Sequence, residues 1–170
     1  MADPKPVAER LSSPNDVPLT PWTDVRTRLE RGDTYLLATV RPDGRPHVVP
    51  VLAVWFDGAL YFNARASTRK ARNLEHEPRC ALSIGDDTFD LTVEGRTTKV
   101  RDADGLARVA GAFTAKYPFW KPSVRGGTFY PGGPDDPPSD VYEFTPTVAF
   151  GFGKERGFSA TRWRFRPAAG

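Results

Sequence analysis

Between Ala66 and His76 the chain reads "ASTRKARNLEH", which sets two hydroxyls, Ser67 and Thr68, directly ahead of three cations, Arg69, Lys70 and Arg72. Ser and Thr are favoured helix caps, and a capped start leaves free N–H groups at the positive end of the helix dipole. Guanidinium and ammonium charges added there make a cradle for a phosphate or a carboxylate. A plainer reading is equally open: a solvated face on which Arg72 pairs with Glu75, three residues further on.

A second group lies in "GRPHVVPVLAVWFDG", Gly44 to Gly58. His47 is a candidate base, or a satisfied side chain beside a turn. Pro50 cannot donate to a sheet ladder, so it marks a bulge, an edge, or backbone that faces something other than a strand. With Val51, such exposed amides and carbonyls would suit the polar rim of a flat heterocycle. In "TRWRF", strand alternation puts Trp163 and Phe165 on one side and Arg162 and Arg164 on the other. Trp163 then reads either as core or as an aromatic cover for a cofactor.

Other chemistries are excluded by residue type. Two histidines and one cysteine do not make a metal centre. "RDADG" lacks the later ligands and closing Glu of a calcium loop. The sequence holds no P-loop, dinucleotide-binding fingerprint or nucleophile elbow. Cys80, in the strand-like "RCALSI", reads as a small buried hydrophobe.

The elements that must position these residues follow from periodicity and punctuation. Residues 1–19 are rich in Pro, Ser and charge and read as a flexible arm, 20–166 as a single domain, and 167–170 as a tail. Pro21 opens a short helix in which Trp22, Val25 and Leu29 repeat until Gly32. "TYLLATV", "PHVVPVLAVWF" and "ALYFNA" are separated by Pro-Asp-Gly and Asp-Gly turns, as in antiparallel hairpins. A helix over 67–76 precedes the strands "RCALSI" and "TFDLTVEGRTTKV"; another helix spans Asp102 to Tyr117. Lys121 to Asp140 reads as a long Pro- and Gly-rich loop, a candidate lid or a mobile linker. "VYEFTPTVAFGFG" and "FSATRWRF" close the chain as a hairpin. The expected fold is mainly β with a few helices: an antiparallel Greek-key barrel with helical insertions.

The chain has 170 residues, 39% hydrophobic and 26% charged, enough for one core without disulfides. No apolar run approaches the roughly 20 residues of a membrane helix. "MADPKPVAER" lacks the apolar centre of a signal peptide, so the expected location is cytoplasmic. A net charge of +3 leaves any anion site local and argues against nucleic acid as a partner.

Taken together, "TYLLATVRPDGRPHVVPVLAVWFDGALYFNARASTRKARNLEHEPRCALSI", "VEGRTTKVRDADGLARVAGAFTAKYP" and "FSATRWRF" resemble the pyridoxamine 5′-phosphate oxidase-like split β-barrel family. Within it they resemble the actinobacterial branch of flavin- and deazaflavin-dependent oxidoreductases. The resemblance covers residues 20–166 and implies a homodimer with cofactor at the subunit interface. It implies that Arg69 and Lys70, with the hydroxyls of Ser67 and Thr68, hold the cofactor phosphate. Val49, Pro50 and Val51 would line the cofactor ring beside Asn63 and Ala64, and Arg162 and Trp163 would reach the site of the other subunit. "SATRWRF" stands where a pyridoxamine phosphate oxidase carries an "EFW" and an "RLHDR"-like segment, so pyridoxal synthesis is not expected. The implied cofactor is coenzyme F420, with FMN as the alternative. The implied activity is hydride transfer from C5 of the reduced deazaflavin to an electron-poor small molecule. A flavin oxidase or reductase, or a non-enzymatic flavin- or haem-binding protein, are the rival readings. His47, Tyr130 or a water would supply a proton; no side chain is singled out as catalytic.

Overall fold

The structure, a computed structural model, describes residues 5–11, 16–132, 135–155 and 158–165. In chain order its elements are β1 (Val7–Arg10), α1 (Trp22–Arg31), β2 (Tyr35–Val40), β3 (Pro46–Val51), β4 (Val54–Phe56), β5 (Ala59–Ala64) and α2 (Arg69–His76). They continue with β6 (Arg79–Gly85), β7 (Phe89–Val100), α3 (Ala103–Lys116), β8 (Ser123–Arg125), β9 (Thr128–Tyr130), β10 (Asp140–Gly153) and β11 (Ser159–Arg164). Among the described residues no helix is long and apolar enough to cross a membrane.

The main sheet runs β1-β11-β10-β7-β6-β2-β3, and β5 joins β10 to β4. All its ladders are antiparallel. The β6 strand returns beside β2 rather than beside its predecessor β5, the step that makes the order a Greek key. Strand β10 is the branch point. One edge follows β7, while the other pairs with β5 over Asp140–Phe144 and with β11 over Val148–Gly153. A register shift between Pro146 and Val148 separates the two halves, and such a shift bends a strand. The fold is therefore the expected mainly β split barrel.

One expected strand is broken. "PHVVPVLAVWF" divides at Leu52 and Ala53, so that β3 pairs with β2 and β4 with β5. The cause lies in α3. The Lys116 ammonium donates to the Ala53 carbonyl at 2.8 Å, and the Tyr117 hydroxyl accepts from the Ala53 N–H at 3.3 Å. That hydroxyl also sits 2.9 Å from the Ala53 carbonyl and 2.8 Å from that of Asp33. Side chains thus take the backbone groups a continuous ladder would have used.

Burial pushes the Lys116 ammonium from 10.5 down to about 8, against a smaller opposing pull from Asp33. Between those values the unfolded chain holds the proton and the folded chain does not, so this group makes stability rise with pH. Relative to Lys116→Met, the wild type is expected to gain stability from pH 8 to pH 10. Urea midpoints that run parallel over that range would contradict it.

Two cores flank β5. Leu60 and Phe62 face the barrel core with Tyr35, Leu37, Leu82, Val93 and Phe144, whereas Ala59 and Tyr61 face α3 with Val109 and Phe113. The segment read as a loop, Lys121 to Asp140, is partly ordered into the β8–β9 hairpin, because Phe129 is 1% exposed and packs against α3. The residues read as an arm contain β1, an edge strand on β11, held by the Glu9 carboxylate against Arg162 at 2.5 Å and Arg164 at 3.3 Å. The tail, 167–170, lies outside the described residues.

Gly95, opposite Pro146 at the bend, answers a close approach. A Cβ there would stand 2.3 Å from the Thr145 carbonyl oxygen and 2.7 Å from the Phe144 ring. Gly95→Ala is expected to cost about 1–3 kcal/mol, as overpacking does. An unchanged urea midpoint would show that the bend relaxes freely.

Candidate anion and cofactor site

The α2 helix is capped by Thr68, whose hydroxyl accepts from the Ala71 N–H at 3.4 Å and donates to the Arg65 carbonyl at 2.7 Å. Ser67 is exposed and Lys70 half-buried, and burial moves the Lys70 ammonium below its usual value. Among the described residues no ion pair engages Arg69, Lys70 or Arg72. Glu75, the partner open to Arg72 from spacing, instead meets Lys99 at 2.9 Å, and Lys99 also holds Asp140 at 2.8 Å. Among the described residues the cations in the first turn of α2 are thus without an ion-pair partner.

A buried polar relay fixes this helix on the sheet. Asn73 donates from Nδ2 to the Thr39 hydroxyl at 2.9 Å, and that hydroxyl donates to the His47 carbonyl at 3.3 Å. Asn73 and Thr39 are 1% and 2% exposed. Apolar contacts through Ala71 and Leu74 complete the packing. His47, opposite Thr39 in the β2–β3 ladder, therefore lies beside the helix that carries Arg69 and Lys70. Partial burial and the charges of Arg41, Arg69 and Lys70 pull its imidazole below the ordinary value. Arg41 is a residue that sequence reasoning missed. It starts the turn that leads back to His47, with its N–H on the Arg45 carbonyl at 2.9 Å, and its Nε is buried without an acceptor. A "RPDGR" turn of this tightness was the available signal.

Along β3, His47, Val49 and Val51 share one face, and Pro46, Val48 and Pro50 share the other. The outward set pairs with Val40, Ala38 and Leu36 of β2, giving an apolar face on which Leu36 is 50% and Val48 54% exposed. Since β3 pairs only with β2 among the described residues, Pro50 stands in an edge strand, where its missing donor costs nothing. Asn63 and Ala64 end β5, opposite Val141 and Asp140, and lead directly into the α2 cap. Thus His47 lies within reach of the Arg69 and Lys70 charges, Val49 and Val51 share its face of β3, and β5 runs through Asn63 and Ala64 toward the α2 cap.

Two expected site residues, Arg162 and Trp163, lie on β11, apart from this flank within the protomer. Trp163 is fully buried in its own barrel, 6.1 Å from Trp22 and over Gly151, where a Cβ would approach the indole to 2.7 Å. Arg162 is ion-paired to Glu9 within the protomer and fastens β1 to β11. Tyr130 lies under the Arg125 guanidinium, 4.0 Å from its ring centroid. Cys80 is buried, as expected, and burial pushes its thiol up to about 12.

A cleft of about 790 Å³ lies between α1 and the β6–β7 turn, lined by residues that include Arg28, Arg31, Asp33, Asp86 and Phe89. Within it Arg28 meets Asp86 at 2.5 Å and covers the Phe89 ring at 4.6 Å. Among the described residues no group of three or more His, Cys, Asp and Glu could hold a metal ion.

Comparison with solved structures returns the same barrel. An F420 reductase matches at 25% identity and a TM-score of 0.56, with 73% of this chain and 94% of that chain covered. A conserved hypothetical protein from Mycobacterium tuberculosis matches at 20% identity, a TM-score of 0.60, and 91% and 90% coverage. A haem storage protein from Vibrio cholerae matches at 20%, 0.57, and 73% and 88%. No curated protein matches the sequence. The pattern of the pyridoxamine 5′-phosphate oxidase family matches residues 22–152, most of the chain and all of the site just described, and the chain belongs to that family.

Proposed function

We propose that the chain is an oxidoreductase that holds a phosphate-bearing cofactor, coenzyme F420 in preference to FMN, and reduces an electron-poor small molecule. The carrying observation is the pair Arg69 and Lys70, without an ion-pair partner among the described residues, with the exposed Ser67 beside it, an open strand edge and an exposed apolar face. The likeness to an F420 reductase supports the deazaflavin over the flavin. An orphaned Arg41 Nε and unpaired cations are what an anion-binding site presents when its residues fit a phosphate.

In this reading Arg69 and Lys70 neutralise the phosphate, and Ser67 donates a hydrogen bond to it. Val49, Pro50 and Val51 offer the unpaired edge of β3 to the polar rim of the ring, with Asn63 and Ala64 alongside. When bound, the reduced deazaflavin supplies a hydride from C5. The strand face orients the acceptor and keeps water from it.

A homodimer belongs to the same proposal. The face formed by Leu36, Val40, Val48, Pro46 and Pro50 is continuous with the β3 edge, and a second copy laid on it would cover both. Val48→Glu is expected to convert a dimer to a monomer in light scattering; a dimer that persists would place the interface elsewhere.

The activity is tested by mixing protein and reduced F420 with quinone, nitroaromatic and enone acceptors and following cofactor oxidation. Acceptor-dependent oxidation supports the reading. Tight cofactor binding without turnover on any acceptor would favour a carrier.

A further inference from the structure

We infer that Arg41 and His47, on the β2–β3 hairpin, form the second half of the anion grip, and that His47 takes up a proton when the anion binds. The inference rests on the phosphate grip proposed above and extends it to residues on a different element. Three observations converge on it. First, the Asn73–Thr39–His47 relay holds the hairpin against α2, so that His47 and the Arg69–Lys70 pair cannot separate without breaking a buried bond. Second, Arg41 has a buried Nε with no acceptor, an expensive state unless a ligand or water completes it. Third, the charges that act on the His47 imidazole are Arg41 from the hairpin and Arg69 and Lys70 from α2, all of one sign.

The consequence is a linkage of known direction. In the free protein, burial and three cations pull the His47 imidazole below its ordinary value and so favour its neutral form. An anion seated among those cations removes their repulsion and adds attraction, so the imidazole moves up and binds a proton. Affinity for the anion therefore falls as pH rises through the His47 range. A displacement of about one pKa unit corresponds to about a tenfold change in affinity.

Sulfate is the suitable probe, because its charge is constant between pH 5 and 8 while that of a phosphate monoester is not. The full chain is titrated with sulfate at several pH values, and the His47 ring is followed by proton NMR. The expected results are sulfate binding that weakens about tenfold from pH 5.5 to 8, and a His47 titration midpoint that moves up with sulfate. His47→Asn should bind sulfate with no such pH dependence, and Arg41→Ala should weaken binding at every pH. Sulfate binding that is lost in Arg69→Ala yet independent of pH in the wild type would overturn the inference and leave the α2 grip standing. No sulfate binding at any pH would overturn both.

Discussion

Replacing Arg69 and Lys70 together with Ala is expected to weaken F420 binding by about 100- to 1,000-fold while leaving the thermal midpoint unchanged. Hydrogen bonds to charged groups contribute about 1.5–3 kcal/mol each, and about 1.4 kcal/mol is a factor of ten in affinity. The lower part of that range applies, since Arg69 is exposed and screened. Stability should not suffer, because neither cation has an ion-pair partner to lose among the described residues. A folded double variant with unchanged cofactor affinity would remove α2 from the site.

Trp163→Ala is expected to cost about 3–5 kcal/mol of stability, the range for truncating a large buried aromatic. The indole is fully buried, touches Trp22, and occupies space that Gly151 leaves open. Its loss would open a cavity that those neighbours cannot fill. In the protein that remains folded, cofactor affinity should be close to that of the wild type. A variant with normal urea stability and failed cofactor binding would restore Trp163 to the site and contradict its placement in the core.

Much of this was legible in residue order. Gly, Pro and Asp-Gly pairs mark strand ends because those residues tolerate turn geometry, so the boundaries of β2, β5, β6 and β7 lay close to their observed places. The Thr68 cap was legible for the same local reason. The break at Ala53 was not, because its cause is a hydroxyl and an ammonium at the C-terminal end of α3, more than sixty residues away. Nor was β1, a four-residue edge strand with no periodicity of its own, held by an ion pair to β11. Alternation told which residues share a face with Trp163 but not which face is the core; only the packing of α1 decides that. Arg41 was overlooked because its relation to Arg69 exists only once α2 is docked on the hairpin. Local chemistry reads from sequence; the second half of a site that spans two elements does not.

The most direct measurement is a side-by-side fluorescence titration of cofactor-stripped wild type and the Arg69→Ala/Lys70→Ala double variant with F420 and with FMN. The expected result is saturable binding to the wild type, tighter for F420 than for FMN, and its loss in the double variant. Binding of neither cofactor to the wild type, or equal binding to both proteins, would contradict a phosphate-held cofactor at the start of α2.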